Sequence, residues 1–439
     1  MYTVEAGEAA RDLLAYLNAS PTSFHAVANA AVMLGSGGFV ELREDEAWRL
    51  ERGGKYYVKR NNSALLAFVV GEGDLAENGF RVIGAHADSP GFKVKPGGCM
   101  ATPDGYVKIN TEGYGGAILS TWFDRPLGVA GRVAVRCPDG GVGERLVDTG
   151  KPVAVIPNLC IHFNREVNSG YAYNKQVDLL PLLCMASTAR DNRDPLLAVV
   201  TDAAGPAYES VLDYELFLYE CAPGTLMGPN EEFISASRID NLAMAHAGLM
   251  GLLVSEPAPC GKILAIFDNE EVGSATAPGA DSTFLLHMLK RICFAYRHGE
   301  EDFQRALAGT VALSADAAHA VHPNYPERHD PVNRPVLGGG VAIKYSANQR
   351  YVTNAVTASL YSLACERAGV PFQRYVNRSD IVGGSTIGPS MSSVTSIAAV
   401  DVGIPMLAMH SIRELAHVDD NLFAVKSFAE FYQFPGGLL

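Results

Sequence analysis

Short apolar runs alternate with stretches of helical spacing over much of the chain, the pattern of an α/β core. Residues 8–18, EAARDLLAYLN, space Leu13, Leu14 and Leu17 for a helix, and SPTSFHAVANAAVML restarts one after Pro21 with Thr22 or Ser23 as its cap. SALLAFVVGEG and FRVIGAHADSP read as buried strands. From about residue 94 to 236 the texture changes to β-like segments broken by Gly and Pro, among them YVKINTEGYGG, GVAGRVAVRC and KPVAVIPNL. The α/β texture returns in RIDNLAMAHAGLMGLLV, which reads as a helix, and runs to the end of the chain. The expected organisation is an α/β domain formed by residues 1–93 and 237–439, interrupted by a β-rich insert at 94–236.

Composition bounds this picture. A chain of 439 residues with 48% hydrophobic content can bury a large core in two or three domains. A formal charge of -13 argues against a general nucleic-acid binder, whose affinity rests on Lys and Arg neutralising phosphates. No apolar run approaches the ~18–20 residues of a membrane span, and the acidic opening MYTVEAGEAARDLL lacks a basic targeting region, so no membrane association and a cytoplasmic location are expected. The eight cysteines are scattered without CxxC pairs, which reads as buried thiols in a reducing compartment, with no catalytic or metal role.

The chemistry is concentrated where apolar runs stop. RVIGA delivers His86, KILAIF delivers Asp268, Glu270 and Glu271, TVALSA delivers Asp316, and IPMLAM delivers His410. In an open α/β sheet, segments far apart in sequence converge beyond the carboxyl ends of the strands. Asp240 adds a carboxylate at the entrance to NLAMAHAGLM, where alone it would read as a helix cap. Carboxylates crowded together repel unless cations neutralise them or some stay protonated, and two histidines with several acids suit zinc, manganese or cobalt. The adjacent Glu270 and Glu271, if extended, point in opposite directions, so that one binds metal and the other moves protons. No G-x-S-x-G nucleophile motif is present.

These residues lie in seven blocks: HADSPGFKVKP, RIDNLAMAHAGLMGL, IFDNEEVGSATAPGA, SADAAHAVHPNYPERHDP, NQRYVTNA, GGSTIGP and MLAMHSIRELA. In this order, over nearly the whole chain, they resemble the aspartyl aminopeptidase family of co-catalytic zinc exopeptidases. The resemblance implies an α/β/α catalytic domain with a mixed sheet and a dimerising β-rich insert. It also implies two divalent ions, zinc or else manganese or cobalt, held by His86, Asp240, Glu271, Asp316 and His410. Asp240 would bridge, with His86 and Asp316 on one ion and Glu271 and His410 on the other. Glu270 becomes the general base, and Asp88 the carboxylate that orients the His86 ring.

The implied substrates are peptides with a free N-terminus, cut at the first bond. Lys344 alone reads as a surface lysine at a strand edge; the resemblance places it in the pocket for an N-terminal Asp or Glu, with His319, His322, Tyr351 and the GGSTIGP loop lining the cavity. His162 in the insert is expected to reach a neighbouring subunit's active site within a homo-oligomer, a dimer-based assembly up to a tetrahedral dodecamer. Two positions depart from the family pattern: Ala87 stands where Thr is common, and Asn348 where some relatives carry Lys. The alternatives are a Leu-preferring aminopeptidase, a deacylase of N-acylated amino acids, and a metal-binding scaffold without turnover.

Overall fold

The apolar runs assemble into one nine-stranded sheet of mixed direction. Its strands are β1 (Val40–Glu41), β2 (Lys55–Arg60), β3 (Ala64–Val69), β4 (Phe80–His86), β5 (Gly261–Phe267), β6 (Val311–Ala315), β7 (Val341–Tyr345), β8 (Phe372–Val376) and β9 (Ala398–Gly403). They are ordered β1-β2-β3-β5-β4-β6-β9-β7-β8. The central four, β5, β4, β6 and β9, are parallel, while β3 joins β5 and β7 joins β9 antiparallel. The computed structural model describes residues 4–188, 194–205, 208–296 and 298–435.

Alternation along the strands divides the core into two layers. Ile83, Ala85, Leu264, Ile266 and Leu313 face one layer, packed with the helices Val4–Ala19, Ser23–Ser36, Ile239–Val254, Ala355–Ala368 and Val418–Tyr432. Val82, Ile263, Ala265, Phe267 and Ala312 face the other, with the helices Phe284–Ala295, Glu300–Ala308 and Ile387–Thr395. This is the expected α/β/α arrangement. Among the described residues, no helix is long and apolar enough to cross a membrane.

The chain divides into two compact units: residues 1–88, 224–409 and 414–439 in the larger, 89–223 and 410–413 in the smaller. These limits differ from 93/94 and 236/237 because of strand pairing. Gly91–Ala101 already belongs to the six-stranded antiparallel sheet of the smaller unit, whereas Thr225–Met227 and Phe233–Ala236 pair with each other and with Glu414–His417 in the larger. The smaller unit's core includes Phe92, Ile109, Trp122, Val133 and Leu216. KPVAVIPNL contributes isolated bridges at Ala154, Val155 and Ile156 rather than a strand. Pro152 and Pro157 on either side have no backbone N–H to give to a ladder. The cysteines are free thiols, but Cys260, Cys293 and Cys365 are the buried ones, and Cys160 is exposed.

Candidate metal centre

The strand ends meet around the ring of His86, the last residue of β4, which is 1% exposed. Its Nδ1 lies 3.0 Å from the Asp88 carbonyl oxygen and 3.3 Å from Asp88 Oδ1. An N–H at Nδ1 satisfies both and turns the lone pair of Nε2 toward the acids. That nitrogen stands 3.7 Å from Asp240 Oδ1, 3.8 Å from Asp316 Oδ2 and 3.9 Å from Glu270 Oε2. Glu271 completes the cluster: His86, Glu270 and Glu271 each present a ligand atom within 4.8 Å of the others. Donors bound to one zinc ion stand about 2 Å from it, hence no more than about 4 Å apart. The three oxygens lie within that limit of Nε2, and carboxylates gathered around an imidazole nitrogen have the donor chemistry of a divalent cation site.

Asp88 organises more than the imidazole. Its Oδ1 accepts from the Glu270 backbone N–H and its Oδ2 from that of Glu271, each at 3.1 Å. One buried carboxylate thus holds both glutamates in register with the histidine. The glutamate pair is not extended, as the sequence predicts, but lies on a single 3-10 turn, Glu270–Val272. Asn269, at φ 63°, turns the chain out of β5 into it, and the first two N–H groups of that turn are those that Asp88 takes. Asp88→Ala is therefore expected to weaken zinc binding by about 10- to 100-fold, measured by competition with a chromophoric chelator, and unchanged affinity would remove this role.

Electrostatics carry the signature of crowded acids. Burial first, then Asp316, Glu271 and Asp88, push the Glu270 carboxyl up to about 8 against the opposing pull of His86. Burial disfavours the charged His86 ring, but Asp88, Glu270 and Asp240 outweigh it and hold its pKa well above the ordinary value. Asp268, a candidate acid at the end of the same strand, is buried and pushed up to about 7 by desolvation and the Asp88 charge.

Lys344 is not at a sheet edge. It sits on β7, between β9 and β8, and is 2% exposed. Its Nζ donates to Asp316 Oδ1 at 2.8 Å and lies 5.4 Å from the centre of the Tyr351 ring. Burial opposes its charge, yet Asp316 keeps the ammonium above the usual lysine range. Tyr351 meets Tyr375, which meets His319, at 6.3 and 6.0 Å between ring centres, so these residues gather beside Asp316. His322 instead serves its own loop, accepting from the Asn324 N–H at Nδ1. In GGSTIGP, Thr386 caps the helix Ile387–Thr395 and donates to buried Asp401.

Two expected residues belong to the smaller unit. His410, at φ 67°, opens the segment 410–413, and its Nδ1 is 3.2 Å from the Gly116 carbonyl oxygen. IPMLAM gives a strand of two residues, Pro405–Met406, outside the large sheet, so His410 does not follow a main strand as His86 and Asp316 do. His162 lies in an exposed turn whose neighbours Ile161 and Phe163 are 46% and 81% exposed.

Two residues outside the predicted set, Glu414 and Asn241, tie down the segments that carry Asp240 and Asp316. The Asp240 backbone N–H donates to Glu414 Oε2 at 3.0 Å, and the buried side chain of Asn241 bonds both peptides flanking Asp316. The adjacency of Asn241 to Asp240 was the available signal for one; for Glu414 there was none, since its partner is 174 residues away.

A mixed α/β/α sheet whose strand ends assemble a histidine and several acids has the donor chemistry of a metalloenzyme. Residues 16–432 match the family described as Aminopeptidase I zinc metalloprotease (M18), and the chain belongs to it. It is 48% identical over 426 residues to a probable M18 family aminopeptidase 2 of Clostridium acetobutylicum, covering 97% of this chain and 98% of that protein. Its identity to a probable M18 family aminopeptidase 2 of Stutzerimonas stutzeri is 44% over 425 residues, covering 96% and 97%. Among solved structures it is similar to a chain in the complex of Ape4 and Nbr1, at 36% identity and TM-score 0.93, covering 98% of this chain and 86% of that one. The S. cerevesiae mApe1 dodecamer gives 29% identity and TM-score 0.85, covering 96% of each chain. The chain is accordingly a metallo-aminopeptidase, a hydrolase of peptide bonds.

Proposed function

We propose that this enzyme removes the first residue of unblocked peptides with a preference for N-terminal Asp or Glu, using two divalent ions. The observation that carries the reading is the Asp88 clamp, which ties His86, Glu270 and Glu271 into one donor set. By the resemblance of their motifs, His86 and Asp316 would hold one ion and Glu271 and His410 the other, with Asp240 shared between them. Bound there, such ions supply Lewis acidity to a scissile carbonyl and acidify water. Zinc fits the family description, with manganese or cobalt as alternatives.

The chain's own part is proton transfer and orientation. Glu270 takes a proton from the attacking water and passes it to the departing amine. A second copy's His162 donates a hydrogen bond to the oxygen that becomes negative during attack, which makes a homo-oligomer part of the catalyst. The dodecameric relative and the exposed Leu159, Ile161 and Phe163 around His162 support that assembly. Lys344 donates to an acidic substrate side chain with an N–H that Asp316 does not take.

The test is amino-acid release from dipeptides beginning with Asp, Glu, Leu, Ala and Lys, free and N-acetylated, on metal-stripped enzyme before and after adding zinc, manganese or cobalt. Metal-dependent release from free Asp and Glu substrates is expected. Leu-first cleavage would discard the specificity alone, N-acetyl preference would move the enzyme to the deacylases, and silence would favour a scaffold.

A further inference from the structure

We infer that Asn241 is a positioning residue that locks the Asp316 segment to the Asp240 segment and so sets the metal affinity of the centre, an inference resting on the metal reading above. Asn241 follows Asp240 at the start of the helix Ile239–Val254 and is fully buried. Both residues depart from helical geometry, with ψ 108° at Asp240 and φ -122° at Asn241, so the first turn is shaped by something other than the helix ladder. At the same place the Asn241 side chain bonds two backbone groups of another segment. Its Nδ2 donates to the Ala315 carbonyl oxygen at 2.8 Å, and its Oδ1 accepts from the Ala317 N–H at 3.3 Å.

Ala315 and Ala317 flank Asp316, so one amide grips the peptides before and after a proposed ligand. These two bonds hold the peptides on either side of Asp316 to one side chain. The strand ladder's own bonds run from the Asp316 N–H to the Val402 carbonyl oxygen and from the Ala318 N–H to that of Ile404, each at 2.9 Å, so the amide adds a tie to the Asp240 segment that the ladder does not supply. The neighbouring peptide carries the other proposed ligand, Asp240, whose own N–H is held by Glu414. The two segments that carry these carboxylates are thereby joined by covalent bonds and a side-chain clamp.

The chemistry of the clamp selects asparagine. It needs a donor and an acceptor on one short planar group. Aspartate has no donor for the Ala315 carbonyl unless protonated, leucine offers neither, and glutamine is one methylene too long for a closed space. Gly403 shows how tightly this segment is built, since a Cβ there would stand 1.8 Å from the Asp316 carbonyl oxygen.

The experiment compares wild type, Asn241→Leu and Asn241→Ser by zinc competition against a chromophoric chelator and by the zinc-induced rise in melting temperature. Both variants are expected to bind zinc about tenfold more weakly or worse and to lose much of the zinc-induced rise. Serine leaves room for water on the freed carbonyl and amide, so it carries the test if leucine prevents folding. A folded variant that is less stable without metal yet binds zinc within twofold of wild type overturns the inference, because Asn241 would then be structural alone. A wild-type chain that takes up no divalent ion overturns the metal reading and this inference with it.

Discussion

Glu270→Gln is expected to lower kcat on a preferred dipeptide by about 10²- to 10⁴-fold, the range for removal of a general acid–base group, while zinc content stays at the wild-type level. Glu270 lies inside the acid cluster, its Oε2 3.9 Å from His86 Nε2. Its carboxyl is the one driven up to about 8 by burial and by Asp316, Glu271 and Asp88, and a group that readily holds a proton near neutrality is suited to shuttle one. Cations among these carboxylates reverse the sign of the local field and draw that value down, leaving a base that works at neutral pH. Glutamine keeps the shape and removes the proton-carrying oxygen. In the metal-stripped protein, where the carboxyl pushed up to about 8 is mostly protonated at neutral pH, glutamine replaces one neutral group with another, so the variant should melt close to wild type. The measurement pairs kcat with zinc content by atomic absorption, and loss of zinc in step with activity would make Glu270 a ligand instead of a base.

The legible part of this site is the part written in strands. FRVIGAH, KILAIF and TVALSA run up to His86, Asp268 and Asp316, and all three are parallel strands of the large sheet, with Glu270 three residues beyond the end of the second. IPMLAM has the same look but folds as a two-residue strand elsewhere. Leu407 pairs back to Leu415 and His410 turns at positive φ, local geometry that hydrophobic pattern does not encode. The glutamate pair failed as an extended segment for a related reason: its conformation is set by Asp88, 182 and 183 residues away. Polar residues inside apolar runs were the hardest to read. Lys344 in VAIKY looks like a lysine reaching out from an edge until Asp316, 28 residues away, is found against its ammonium. Asn241 and Glu414 bond backbone atoms, which leave no mark in a sequence.

Lys344→Leu should have two separable effects, and their separation decides what the lysine is for. The first is on stability. Lys344 and Asp316 form a buried ion pair at 2.8 Å, and removing one partner of such a pair costs roughly 3–5 kcal/mol, because the other is left charged in a poor solvent. The loss should be greatest in metal-stripped protein and smaller once zinc is added, since a cation bound by Asp316 compensates the same carboxylate. The second is on specificity. An ammonium has three donors, and a charge-assisted hydrogen bond to a substrate carboxylate contributes about 1.5–3 kcal/mol, so the ratio of kcat/KM for aspartyl over leucyl dipeptides should fall by roughly 10- to 100-fold. Leucine keeps part of lysine's apolar stem and takes the ammonium away from both Asp316 and the Tyr351 ring. If zinc restores stability and the substrate ratio collapses, the lysine both supports Asp316 and reads the substrate. If stability follows the expected course but the ratio stays at the wild-type value, Lys344 is the counter-ion of Asp316 alone, and acidic preference must be sought elsewhere in the cavity.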